Sequence, residues 1–226
     1  MPKSCCGRGA PMGLPLRRRP VAMVGLGCLL LVGALLVLAT PAGQTWRLRR
    51  TSLETLERLL EKQPGWALAH YWRGERLAEM GRSDEALGAW LTAYHLDPDL
   101  EPALLRLGQA LISSRPQRAV EFLHRLVRLR PQDAEAWYGL AVGYGRLKRV
   151  DDAIAALRRA LALEEEDPRF HREIAQLLLN RSQFEEAERH LQRALQLDPA
   201  NPIAHYTLGR LLLLRNRLEE AEREVA

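Results

Sequence analysis

Beyond Cys28 the chain contains no cysteine: its three, Cys5, Cys6 and Cys28, all fall at the N-terminal end. Neither a disulfide framework nor a cysteine-ligated zinc can therefore hold the rest together. Acid is missing from the first 50 residues, which carry eight basic side chains and no Asp or Glu. Of the 33 basic residues in all, 25 remain against 28 acidic ones over 51–226, a net charge of −3 for that stretch. The overall charge of +5 thus belongs to the N-terminal end. A nucleic-acid partner, which needs basic charge spread over a folded face, is excluded as a reading. Lysine is scarce as well, limited to Lys3, Lys62 and Lys148. An arginine bias of this kind fits a GC-rich, bacterial source. No Gly-rich phosphate loop, nucleophile elbow or HExxH arrangement occurs. The chain is read as not an enzyme, with no catalytic residue, no cofactor and no metal site.

What is present begins with an apolar run. Residues 21–40 hold no charge over 20 positions. At 1.5 Å per residue such a helix spans about 30 Å, the thickness of a bilayer's hydrocarbon core. Arg17, Arg18 and Arg19 precede it, and Arg47, Arg49 and Arg50 follow. The run is longer than a usual signal-peptide core, and Pro41 is awkward in a cleavage site, which favours an uncleaved anchor over a cleaved signal. The triple arginine abutting the run orients it with the N-terminus in the cytoplasm. The predicted order is a basic, disordered tail over 1–20, a transmembrane helix over 21–40 and a basic linker over 41–50. The rest would be exported, in a bacterium to the periplasm.

The remainder is periodic. Ala86, Ala119, Ala153, Ala187 and Ala221 follow one another at 33, 34, 34 and 34 residues, and Gly74, Gly108, Ala141, Ala175 and Gly209 keep the same step. Each unit reads as two amphipathic helices. In the third, Trp137, Leu140, Ala141 and Tyr144 lie at i, i+3, i+4 and i+7, one helical face. Ala153, Leu157, Ala160 and Leu161 make the stripe of the second helix. Asp97-Pro98, Arg130-Pro131 and Asp198-Pro199 stop three such second helices, because the residue before proline leaves the α region. Small residues are predicted where the paired helices cross. A period of this length specifies a helical array.

The pattern resembles the tetratricopeptide repeat family, W-x2-L-G-x2-Y, then A-x3-F, then P. The third unit carries it best, in Trp137, Leu140, Tyr144, Ala153, Leu157 and Ala160. The last has Leu208-Gly209, Ala221 and Val225. Arg73 stands where the family has leucine in the first unit, and Glu165 where it has proline in the third. The fold implied is all-α, an α-solenoid of helix-turn-helix repeats after a single transmembrane helix. An unpaired helix, a half-repeat, would cover 51–66, with repeats over 67–226 in units starting near 67, 101, 134, 168 and 202, the last incomplete.

The resemblance also implies a partner-binding wall, because first helices line the concave side of such arrays. In the family, wall residues follow the tryptophan position by one and by five. Carried over, the first set is Tyr71, Leu105, Tyr138, Arg172 and Tyr206, and the second is Glu75, Gln109, Val142, Gln176 and Arg210. Three tyrosines there would pack against a protein or peptide ligand in the groove. Glu75 would repel a carboxylate, which argues against a chaperone-type clamp. His70, His171 and His205 occupy the tryptophan position and are expected to pack between helices. Equivalent points of neighbouring repeats lie roughly 10 Å apart, too far for one metal ion bound at about 2 Å.

At the C-terminal end Leu211, Leu212, Leu213, Leu214, Leu218 and Val225 lack a following neighbour. Either the sequence is a fragment of a longer array or this end docks on another chain, self-association included. The leading functional expectation is a membrane-anchored scaffold, holding protein partners during assembly, export or envelope biogenesis. The alternative is an accessory region of a larger enzyme, for example a glycosyltransferase.

Overall fold

The computed structural model describes residues 47–225, without the side chain of Val225. The predicted membrane segment, 21–40, and the tail before it lie outside the described residues. Among the described residues no helix is long and apolar enough to cross a membrane. From Thr51 onward one compact unit is built entirely of helices.

The chain enters it through α1 (Leu53–Lys62), capped by Ser52, whose hydroxyl accepts from the Thr55 N–H at 3.4 Å. Five helix pairs follow. They are α2 (Ala67–Glu79) with α3 (Ser83–Leu96), α4 (Glu101–Leu111) with α5 (Pro116–Leu129), α6 (Ala134–Arg146) with α7 (Val150–Leu163), α8 (Pro168–Leu179) with α9 (Phe184–Leu197), and α10 (Pro202–Leu214) with α11 (Leu218–Val225). Consecutive helices pack in order, and first helices also touch across units, α4 against α6 and α8 against α10.

The periodic small residues sit at the closest approaches. Ala86, Ala119, Ala153 and Ala187 are fully buried. A Cβ on Gly74 would lie 2.4 Å from Trp90 Nε1, and one on Gly108 would lie 2.5 Å from Leu123 Cγ. In the first two pairs the second helix therefore lays a large side chain directly on the backbone of the first. Only a missing Cβ leaves room for it at these two positions.

Each first helix except α4 ends in one device. Gly81, Lys148, Ser182 and Asn216 adopt left-handed φ of 76°, 58°, 59° and 59°. The next amide then reaches back five positions: Arg82 to Leu77 O at 2.9 Å, Arg149 to Tyr144 O at 2.9 Å, Gln183 to Leu178 O at 3.0 Å and Arg217 to Leu212 O at 2.9 Å. This is the Schellman closure of a helix C-terminus. The second unit, one residue shorter, turns without a left-handed residue and starts α5 on Pro116.

Candidate functional site

Three of the five first helices, α2, α6 and α10, are pinned to the turn before them. His70 Nε2–H donates to Pro64 O at 2.9 Å, Trp137 Nε1–H to Pro131 O at 3.0 Å and His205 Nε2–H to Pro199 O at 2.9 Å. Histidine here serves as a smaller tryptophan, an apolar body with one N–H aimed at a carbonyl. Leu104 holds the place in the second unit and has no such donor. These pins hold the rotation of α2, α6 and α10, and hence which of their residues face outward.

His171, the fourth member, does something different: its Nδ1 lies 2.9 Å from Nδ1 of His190 on α9. One nitrogen must donate and the other accept, so only one of the two can carry a proton there. Burial pushes both histidines below the ordinary value, and each cation would repel the other. His205 is the reverse case. Its Nδ1 stands 2.7 Å from a Glu224 carboxylate oxygen while Nε2 faces Pro199 O, and these two acceptors hold it above the ordinary value.

The ten wall residues predicted from sequence fall on five successive first helices, but they differ in exposure. Tyr71 and Glu75 on α2 are buried, at 8 % and 9 % exposed. Arg106 of α4 closes over Glu75, with Nε to Oε1 at 2.9 Å and Nη2 to Oε2 at 2.7 Å. Burial, and then the Glu75 charge, push the Tyr71 hydroxyl up. Little of this pair is left for a ligand. On α4, Leu105 is half-buried and Gln109 exposed, its carbonyl accepting from Arg106 Nη1 at 3.4 Å.

On α6, Tyr138 and Val142 are half-buried. The Tyr138 ring lies 5.3 Å from that of Phe170 on α8, with the Arg169 guanidinium 5.1 Å over its face. Burial, followed by the Glu173 charge, raises its hydroxyl. Arg172 and Gln176 on α8 are half-buried. The first pairs with Glu173 at 3.2 Å, and the second donates to Asn180 Oδ1 at 3.4 Å. On α10, Tyr206 is 61 % exposed and Arg210 is exposed. Exposure is thus lowest on α2 and highest on α10, with Gln109 an exposed position between them.

Two of the leucines read as unpartnered at the C-terminal end are buried instead, Leu211 and Leu212, which belong to the core cluster that also holds Leu191, Ala194 and Ala221. Leu213, Leu214 and Leu218 are more than half exposed, and Ile203 joins them at 55 %. The exposure of Ile203 was not anticipated. It lies one turn before Tyr206, on the stripe that Leu213 continues, and counting along the helix would have found it. Arg106 and Arg169, which cover wall residues, were also missed, since their roles depend on contacts between units.

The tetratricopeptide repeat family matches residues 111–177 and 178–226, and a second model of the same repeat matches 48–101. The chain belongs to the tetratricopeptide repeat family. No curated protein matches it in sequence. Among solved structures it is similar to MamA (41-end) from Desulfovibrio magneticus RS-1, at 23 % identity over 70 % of this chain and 90 % of that one, with a TM-score of 0.65. It is similar to YrrB, described as a TPR protein with an unusual peptide-binding site, at 20 % identity over 76 % and 90 % and a TM-score of 0.63. PilW, described as a widely conserved type IV pilus biogenesis factor, aligns at 17 % identity over 76 % and 80 % with a TM-score of 0.67. At these identities the shared property is the fold, a stack of tetratricopeptide helix pairs.

Proposed function

We propose that this tetratricopeptide array is a scaffold, anchored in a membrane through residues 21–40, which holds a protein or peptide segment against its first helices. The observation that carries the reading is the outward face running through Leu105, Gln109, Tyr138, Val142 and Gln176. It is half-buried except at the exposed Gln109, mixed in polarity, and held in rotation on α6 by the Trp137 pin. Such a surface offers apolar contact and side-chain amides to an extended or helical ligand, while giving no pair of groups poised for acid–base or nucleophilic chemistry. A setting in assembly, export or envelope biogenesis, with the repeats on the extracytoplasmic side, agrees with the arginines before the apolar run. The pilus-biogenesis role of PilW and the peptide-binding site of YrrB are of the same kind.

The test has two arms. Partners are cross-linked to the full chain in its membrane and recovered, then compared with those of Tyr138→Ala and Gln109→Ala variants. Loss of the cross-link in both variants is expected, and its persistence in both would sink the wall assignment. Reporter fusions at the C-terminus read the side of the membrane, and a cytoplasmic signal would overturn the exported orientation.

A further inference from the structure

The turns of the array divide by charge. The five that join a first helix to its second contain no acid, and each holds Arg or Lys: Arg82, Arg115, Lys148, Arg181 and Arg215 in order. The four that lead from one pair to the next each hold at least one acid, with Glu164, Glu165, Glu166 and Asp167 consecutive in the third. Consecutive helices reverse direction at short turns, so the first set lies along one edge of the array and the second along the other. α1 takes the place of a second helix beside α2, with Arg73 Nε 3.7 Å from a Glu57 carboxylate oxygen. The chain therefore enters the array on the basic edge.

Much of that edge is neutralised locally. Arg82 pairs with Glu85 at 2.7 Å, Arg149 with Asp152 at 2.8 Å and Arg181 with Asp151 at 2.6 Å, all acids from the first turn of a second helix. The second and third units depart from this. α5 is the one second helix with no acid in its first turn, and it carries Arg118 there, the wrong sign for a helix N-terminus. Lys148 holds a left-handed position, φ 58°, which Gly81 fills in the first unit at less backbone cost. Arg115, Arg118, Arg146 and Lys148 are all exposed and form no ion pair among the described residues, although Arg118 stands 5.9 Å over the Phe122 ring. Successive turns lie roughly 10 Å apart, so these four cations make one patch. Helix stability accounts for neither Arg118 nor Lys148. A charge held against local preference points outward, to a ligand.

We propose that this patch rests on the anionic phospholipid headgroups of the membrane that holds the chain, a surface contact built on the anchoring proposed above. Residues 41–52 separate the apolar run from α1, a reach of at most roughly 45 Å for an extended chain. The edge on which the chain enters is thus the edge the tether brings to the headgroups. Cations within about a Debye length of an anionic surface, roughly 10 Å at 0.1 M salt, are drawn to it. The acidic edge is repelled, so the same field that attracts the patch orients the array. The charge of −3 over 51–226 conceals this division. An acidic protein segment would meet the same four cations, but the tether keeps lipid near them at high local concentration. The patch shares no residue with the peptide wall.

The full chain, with Cys5, Cys6 and Cys28 changed to serine, is reconstituted into vesicles that carry a headgroup-attached quencher. A fluorophore is placed at Ser113→Cys, exposed in the turn before Arg115, or at Gln132→Cys, exposed on the opposite edge. In vesicles of phosphatidylcholine with phosphatidylglycerol the Ser113 probe should be quenched and the Gln132 probe should not. Quenching at Ser113 should fall about twofold or more in phosphatidylcholine alone, in high salt, or with Arg118→Glu and Lys148→Glu together. Tyr138→Ala should leave it unchanged, which separates the patch from the wall. Equal quenching at the two edges, or indifference to phosphatidylglycerol and to charge reversal, would overturn the contact. Flotation with phosphatidylcholine vesicles reports the anchor by itself. Loss of that flotation would sink the anchor, while flotation restored by phosphatidylglycerol would still support the patch, and none on either lipid would overturn both. A Ser113 probe that answers to polyglutamate and not to anionic vesicles would overturn the lipid in favour of an acidic protein segment.

Discussion

Glu75 and Arg106 join the first two repeats through a bidentate ion pair whose carboxylate is 11 % exposed and whose guanidinium is 43 % exposed. The asymmetry decides what each truncation does. Arg106→Ala strands a nearly buried carboxylate and is expected to destabilise the array by about 1–2 kcal/mol, at the low end for a buried pair because the arginine is well hydrated. Glu75→Leu alone should cost less, since the arginine it releases reaches water. Urea unfolding of both variants checks the order, and equal losses would contradict it.

The glycines of the array separate into those with a neighbour and those without. Gly74→Ala drives a methyl into the Trp90 indole, and Gly108→Ala drives one into the Leu123 branch. Each is expected to cost about 1–3 kcal/mol, as overpacking does. Gly88, inside α3 and exposed, has nothing within 4 Å of its missing Cβ. Gly88→Ala should stabilise by up to about 1 kcal/mol through helix propensity alone. Thermal unfolding of the three variants should give two signs.

At the helix ends a gain is available. Lys148, Ser182 and Asn216 hold the left-handed position that Gly81 holds in the first unit. A side chain other than Gly or Asn costs roughly 1 kcal/mol in that conformation. Lys148→Gly and Ser182→Gly are each expected to raise the unfolding midpoint, and Asn216→Gly to raise it least. A fall in all three would mean that these side chains contribute contacts that outweigh backbone strain.

The repeat, its two helices and the small residues at their crossings were legible because each is a property of spacing. Ala153 is the third member of a series, and series survive without coordinates. The histidines were legible only in part. His70 and His205 pack as a substitute tryptophan should, but the carbonyls they bind belong to turns whose geometry spacing does not specify. The helix that carries each wall residue was legible, and the residue's exposure was not. Tyr71 and Tyr206 occupy equivalent positions, yet one is 8 % and the other 61 % exposed, because Arg106 of the next first helix packs beside the first and no described residue does so at the second. Exposure depends on what the neighbouring unit supplies, and repeats that share a pattern do not share neighbours.

Acid should therefore loosen one part of the array and alkali another. For His171 and His190 the folded pKa lies below the ordinary value near 6.5, chiefly through burial. Their contribution is fully present above that value and is lost as pH falls through the depressed folded pKa. For His205 the folded pKa is raised, first by Pro199 O and then by Glu224. Its contribution is fully present below the ordinary value and is lost as pH rises through the elevated one. The groups facing the first pair include Glu186, Arg158 and Arg193; the arginines add to the depression and the glutamate opposes it. Residue-resolved hydrogen exchange, corrected for intrinsic rates, should show α8 and α9 losing protection from pH 7.5 to pH 5.5. Over the same interval the α10–α11 pair should gain protection relative to them. His190→Gln should flatten the first trend and His205→Gln the second. Parallel trends in the two regions would contradict the opposed burial and hydrogen bonding of these histidines.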